Sequence, residues 1–168
     1  IEKYIPPKKG RKHILYIIRE MLDFKPVSRK TDIGEAVAFF TRVMKRRCTA
    51  FLLSDFYDRK DFQKQLQIAN NKHDLMAIQV YDRLSKSLPD VGLLKVCDAE
   101  TGHEQYIDTS SKQLRAAHAR YWTEREEKLK QTFSRSNVDW VSVATDEDFV
   151  KALMILFASR NGYKCRFC

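Results

Sequence analysis

The stretch CTAFLLSDF, residues 48–56, holds a short apolar run, Thr49 to Leu53, that stops abruptly at Ser54-Asp55. Helical periodicity lies on both sides of it. Upstream, KTDIGEAVAFF (residues 30–40) opens a segment with Ile33, Ala36, Val37, Phe40, Val43 and Met44 on one face. Lys45, Arg46 and Arg47 suit its C-terminal end, where the helix dipole favours cations. Downstream, Phe62, Leu66 and Ala69 mark another helix, for which Asp58 is the expected cap. An apolar run between two helices is expected to be a strand buried on both faces, as in a parallel sheet.

The same alternation continues outward. DLMAIQVYD (residues 74–82) reads as a second buried strand, and helix, strand, helix, strand is the pattern of a helix-flanked parallel sheet. Two β-like runs in LLKVCDAETGHEQYIDT (residues 93–109) flank the turn Glu100-Thr101-Gly102-His103, which predicts a hairpin inserted at about 91–109. Ser110 or Ser111 is placed to cap a long helix reaching Phe133, with Leu114, His118, Tyr121, Trp122, Leu129 and Phe133 as its stripe. VDWVSVATD (residues 138–146) is a further strand. Asp146, Glu147 and Asp148 open a last helix with Phe149, Val150, Leu153, Met154 and Phe157 as its core face. Near the start, residues 2–5 read as the end of a strand cut off by Pro6-Pro7, followed by a helix from Arg11 to Leu22 with Ile14, Leu15, Ile18, Met21 and Leu22 on one face.

A chain of 168 residues with 43% apolar content suits one domain with a sizeable core. No apolar run has the length of a membrane span, and no signal-peptide pattern opens the sequence. The net charge of +9 admits an acidic or phosphate-rich partner. The bases are interleaved with acids, however, as in Glu124-Arg125-Glu126-Glu127-Lys128, and nucleic acid is not the expected partner. Cys48 and Cys97 fall in expected strands and read as buried thiols. Cys165 and Cys168 form a lone C-x-x-C in a flexible tail (162–168), without the second pair or histidines a zinc site needs. This cysteine usage fits a reducing compartment, and the cytoplasm is the expected location.

Ligands of open parallel sheets bind beyond the carboxyl ends of the strands. Asp55 with Ser54 stands at such an end, and Thr31 with Asp32 stands at a helix N-terminus expected at the same edge. Hydroxyl and carboxylate oxygens are hard donors suited to Mg²⁺ or Mn²⁺. The same residues also serve plain structure, with Thr31 or Asp32 as a helix cap and Ser54-Asp55 as a turn.

KTDIGEAVAFF followed by CTAFLLSDF resembles the second half of a von Willebrand factor A-like domain, a Rossmann-like, three-layer α/β fold with a mostly parallel sheet flanked by helices. PPKKGRKHILYIIREML (6–22), RKTDIGEA (29–36), LLSDF (52–56) and VATDEDFVKALMILF (143–157) resemble, in order and spacing, the bacterial family called domain of unknown function fifty-eight. The resemblance implies a metal-ion-dependent adhesion site to which Thr31, with Gly34 and Ala36 completing its motif, and Asp55 contribute oxygens, and Asp32 and Ser54 are supporting or capping groups. Val37 replaces the family's usual leucine. The family's D-x-S-x-S, expected after a first strand beside the one ending at Asp55, is absent. Residues 1–161 are therefore expected to be the C-terminal part of one such domain, incomplete at its N-terminus, with an incomplete site that holds no metal by itself.

Two functions follow as expectations. The first is a non-enzymatic protein–protein interaction domain, metal-dependent in the intact protein, with a MoxR-type AAA+ ATPase as the partner the resemblance implies. An unpaired strand edge at 48–53 also makes a homodimer expected. The alternative is a metal-dependent phosphoryl-transfer or nuclease-like enzyme using Asp32, Asp55 and Asp58. The sequence has no G-x-x-x-x-G-K-[ST], H-E-x-x-H or G-x-S-x-G motif, and His13, His73, His103 and His118 carry no catalytic pattern.

Overall fold

The computed structural model describes residues 1–27, 31–98 and 101–160. Its frame is a parallel three-stranded sheet in the order β1-β2-β5, built from β1 (Thr49–Ser54), β2 (Asp74–Tyr81) and β5 (Asp139–Ala144). The register runs from Thr49 against Asp74 to Ser54 against Gln79, and from Met76 against Asp139 to Tyr81 against Ala144. Parallel neighbours need crossovers, and α3 (Gln63–Lys72) supplies the one from β1 to β2. The passage from β2 to β5 carries the single turn α4 (Arg83–Lys86), the antiparallel hairpin β3 (Leu93–Cys97) and β4 (Glu104–Asp108), and the long α5 (Lys112–Arg135). Before β1 stand α1 (Arg11–Asp23) and α2 (Ile33–Val43), and α6 (Phe149–Arg160) follows β5.

The core has two unequal halves. On one face of the sheet, Ala50, Leu52, Leu75, Ala77 and Trp140 meet Ile33 and Val37 of α2, Leu66 and Ala69 of α3, and Leu129 and Phe133 of α5. Phe133 is fully buried, edge-on to Phe56 at 5.0 Å and stacked on Trp140 at 5.5 Å. On the other face, Met76, Ile78, Val141 and Val143 meet Ala152, Leu153 and Leu156 of α6. The helices thus form two layers around the sheet. No helix among the described residues is long and apolar enough to cross a membrane.

Several expectations are corrected. β1 has an unpaired edge among the described residues, as expected for 48–53, but its outer face is open rather than buried, with Phe51 44% and Leu53 62% exposed. The reason is that α6 packs chiefly over β2 and β5 and meets β1 edge-on, Phe157 against Phe51 at 6.1 Å. Residues 2–5 form no strand, since no described strand lies beside them; Tyr4 instead packs edge-on to Phe39 of α2 at 5.8 Å. α1 buries none of its residues, so its apolar stripe lies exposed. In α6 the buried position is Leu156, whereas Phe149, Val150, Met154 and Phe157 of the expected core face are exposed. Cys97 is exposed and Cys48, just before β1, is half-buried. The hairpin closes with Asp98 N donating to His103 O at 2.9 Å and with Gly102 at φ 71, a left-handed conformation glycine adopts without a Cβ penalty. Ser111, of the two candidates, caps α5 by accepting from Leu114 N. Cys165, Cys168 and the tail 162–168 lie outside the described residues.

Candidate functional site at the carboxyl edge of the sheet

β1 ends in a turn that its own side chains build. Ser54 Oγ accepts from Phe56 N at 2.9 Å, and Asp55 Oδ1 accepts from Tyr57 N at 3.0 Å. These bonds hold Phe56 at φ 54, a left-handed conformation that costs a non-glycine residue about 1–2 kcal/mol. Burial offsets the cost, because the Phe56 ring packs between Phe62 and Phe133. The turn therefore points a buried aromatic inward and leaves the Asp55 carboxylate exposed. Ser54 Oγ also lies 3.4 Å from Asp55 Oδ1.

The loop after this turn is fastened to the start of α2. Asp32 is the cap of α2, its Oδ1 accepting from Glu35 N at 2.8 Å. Asp58 Oδ2 accepts from Ile33 N, also at 2.8 Å, and Lys60 Nζ donates to Asp32 Oδ2 at 2.5 Å. Asp58 therefore caps α2 rather than the helix that follows it. α3 starts at Gln63 with no capping side chain at Phe62, while Asp61 Oδ1 accepts from Gln63 N. The Lys60 ammonium and the Glu35 N–H hold the Asp32 carboxyl below the ordinary carboxylate value, and Asp32 in turn raises the Lys60 ammonium. These ties bring the segment of Thr31 and Asp32 and the segment of Ser54 and Asp55 to one edge of the sheet.

A cleft of about 740 Å³ opens beside the turn, between residues 56–63 and α5. Phe56, Phe62, Gln79, Trp122, Arg125 and Leu129 line it. Arg125 lies between two rings, 4.4 Å from the Tyr57 centroid and 4.9 Å from that of Trp122, and its Nη2 donates to the Asp55 carbonyl at 3.4 Å. The Tyr57 and Tyr121 hydroxyls are 3.4 Å apart, and this contact together with burial raises the Tyr57 hydroxyl above its ordinary value. Gln79 is 2% exposed at the carboxyl end of β2, and Ser142 Oγ donates to its Oε1 at 2.8 Å. Tyr57, Gln79, Trp122 and Arg125 did not stand out as site residues in the sequence. The spacing of Trp122 and Arg125, one helical turn apart, is a signal that could have found that pair.

The donor chemistry fits a hard divalent cation in kind but not in number. Asp32 already binds Glu35 N and Lys60, and Asp55 Oδ1 accepts from Tyr57 N, so of the expected donors at most Thr31 and the other Asp55 oxygen would serve an ion. Mg²⁺ demands near-octahedral coordination, for which two protein donors make a poor site. Among the described residues no group of three or more His, Cys, Asp or Glu is arranged to hold a metal.

A second polar pair is remote from this edge. His73, fully buried at the end of α3, has Nδ1 3.5 Å from Cys48 Sγ, and its Nε2 has no hydrogen-bond partner among the described residues. Burial first, then Lys72 and Arg47, lowers the imidazole below its ordinary value, so the neutral ring is favoured. His118 Nε2 lies 2.8 Å from Ser85 O, tying α5 to α4, and His103 is exposed in the hairpin turn.

The family model described as Protein of unknown function DUF58 matches residues 1–128. Uncharacterized protein Rv1480 of Mycobacterium tuberculosis is 28% identical over 161 residues, covering 94% of this chain and 50% of its own length. Uncharacterized protein Mb1516 of Mycobacterium bovis matches to the same extent, so the chain spans about half the length of these relatives. Uncharacterized protein MAV169 of Mycobacterium avium is 27% identical over 159 residues, covering 94% of both chains. No solved structure matches. With its model covering most of the sequence, the chain belongs to the family described as protein of unknown function DUF58.

Proposed function

We propose that this chain is a protein–protein interaction domain of the von Willebrand factor A-like type and not an enzyme. The observation that supports this most is the fastening of the loop after β1 to the start of α2 through Asp58 and Lys60. It sets two hydroxyl–carboxylate segments on one sheet edge without a histidine or an activated nucleophile among them. Thr31 and Asp55 are the oxygen donors this chain offers to Mg²⁺ or Mn²⁺ in the intact protein. Asp32 and Ser54 hold the geometry around them. The remaining donors come from outside these residues, including a carboxylate of the partner. The aromatic cleft around Arg125 extends the same edge and gives the partner a surface to grip.

The partner implied by the family resemblance is a MoxR-type AAA+ ATPase, and the free thiols of Cys48 and Cys97 accord with a cytoplasmic setting. A biosensor titration of the intact protein against such an ATPase in Mg²⁺ buffer tests the reading. Asp55→Ala is expected to weaken binding at least about tenfold. Binding that ignores this substitution, or no binding at all, counts against it. The phosphoryl-transfer or nuclease-like alternative has weaker support, because Asp32 is spent on a helix cap and an ion pair.

A further inference from the structure

The apolar core of the closed face stops one row short of the sheet's carboxyl edge. Leu52, Ala77 and Trp140 stand side by side in the register, and the next row on that face is Ser54, Gln79 and Ser142. A leucine at position 79 would continue the core. Gln79 is instead a polar side chain only 2% exposed, and burying an amide costs free energy unless it is hydrogen-bonded. Ser142 Oγ satisfies its Oε1 at 2.8 Å. Its Nε2 carries two N–H donors, and no acceptor among the described residues takes them. The side chain lines the cleft of about 740 Å³ between residues 56–63 and α5, so these donors are offered to what the cleft holds.

Arg125 is the second donor left over in that cleft. The rings of Tyr57 and Trp122 attract its charge from 4.4 and 4.9 Å without engaging its N–H groups. Of its five N–H donors, one reaches the Asp55 carbonyl, at 3.4 Å. No carboxylate among the described residues forms an ion pair with it, whereas Lys60 and Lys86 of the same cleft pair with Asp32 and Glu126. The guanidinium is thus fixed in place with most of its fork unused, which suits a planar oxyanion. Phe56, Phe62 and Leu129 add apolar walls. The volume lies in the range of small-molecule sites, about 300–1,000 Å³.

We propose that the cleft binds a small organic acid with an apolar body, its carboxylate on the Arg125 fork and a second oxygen acceptor on Gln79 Nε2. A phosphate dianion suits the cleft less, because Asp58, Asp61 and Glu124 also line it and repel the second charge. The inference goes beyond the interaction reading. It needs neither the metal nor the ATPase, and every residue it uses lies in this chain.

Calorimetric titration of the intact protein with N-acetylphenylalanine tests it, because that probe carries a ring, a carboxylate and an amide carbonyl. Saturable binding is expected, and N-acetylphenylalaninamide, of the same shape without the charge, is expected to bind at least about tenfold more weakly. Arg125→Lys keeps the charge but loses the fork, and is expected to weaken the acid by about tenfold or more. Gln79→Met is expected to weaken N-acetylphenylalanine about fivefold and to leave hydrocinnamate, which lacks the acetamide, unchanged. A merely structural role for Gln79 would move both probes alike. Acetyl-Ala-Ala-Phe locates the source: tighter binding than N-acetylphenylalanine assigns the carboxylate to a peptide end, and weaker binding assigns it to a free acid. No saturation below about 10 mM overturns the proposal. So does equal binding of acid and amide, tighter binding of phenyl phosphate, or indifference to Arg125→Lys. Should Arg125→Lys fail to fold, the comparison of acid with amide on the wild type decides.

Discussion

The two faces of one sheet are finished to different degrees. On the face toward α2, α3 and α5, rings and aliphatic side chains interdigitate around Phe133 and Leu66 until both are fully buried. On the other face, one helix covers one edge, and Phe51, Leu53 and the outer residues of α6 remain in water. Both faces are apolar in sequence. The difference is one of available cover: three helices return to the first face and only α6 to the second. An apolar residue therefore reports a need for burial, and the topology decides whether this chain meets it alone.

Substitutions on the two faces can break that contrast. The largest expected effect is on the closed face, where Phe133→Ala removes a ring in contact with Phe56 and Trp140 and is expected to cost about 3–5 kcal/mol by urea unfolding. A cost under about 1 kcal/mol there would mean the closed face is not the core. Next, Asp32→Ala removes the α2 cap and is expected to cost about 1 kcal/mol. Its carboxyl is held below the ordinary value, so its contribution is present above that value and is lost as pH falls through the folded one.

A pH series separates the closed face from the open one a third way. The folded value of His73 lies below the unfolded value near 6.5. The stability owed to its neutral ring is thus full above pH 6.5 and falls away as the pH drops below it. His73→Gln is expected to flatten this part of the thermal-stability profile between pH 7.5 and 5.5, and an unchanged slope would assign it elsewhere. The smallest effect is expected on the open side. Met154, 67% exposed on α6, should tolerate replacement by alanine within about 0.5 kcal/mol. A loss as large as that of Phe133→Ala would show that side to be as closed as the other.

Much of the closed face was legible in the sequence. Phe62, Leu66 and Ala69 fall on one helical face and are buried together, and the alternation of helices and apolar runs foretold the parallel sheet. The open face was misread because a run such as Thr49–Leu53 looks the same whether helices cover one of its faces or both. The number of neighbours is a tertiary property that periodicity does not carry. The phase of α6 failed for a related reason: nearly every position from Phe149 to Phe157 is apolar, so no stripe distinguishes Leu156 from Met154. At the site, Ser54-Asp55 was legible as a turn and Asp32 as a cap. Asp58 was assigned to the nearer helix, whereas its bond to Ile33 N spans 25 residues and depends on the fold. The setting of Arg125 between Tyr57 and Trp122 joins two distant segments in the same way.

The open face leaves apolar side chains uncovered, and the carboxyl edge is proposed to take its remaining oxygen donors from outside these residues. Calorimetric titration of the chain with Mg²⁺ tests that proposal most directly. Thr31 and Asp55 alone are expected to give no saturable binding at micromolar concentration. Micromolar Mg²⁺ binding that disappears in Asp55→Ala would contradict the account, because it would mean that the site is already whole.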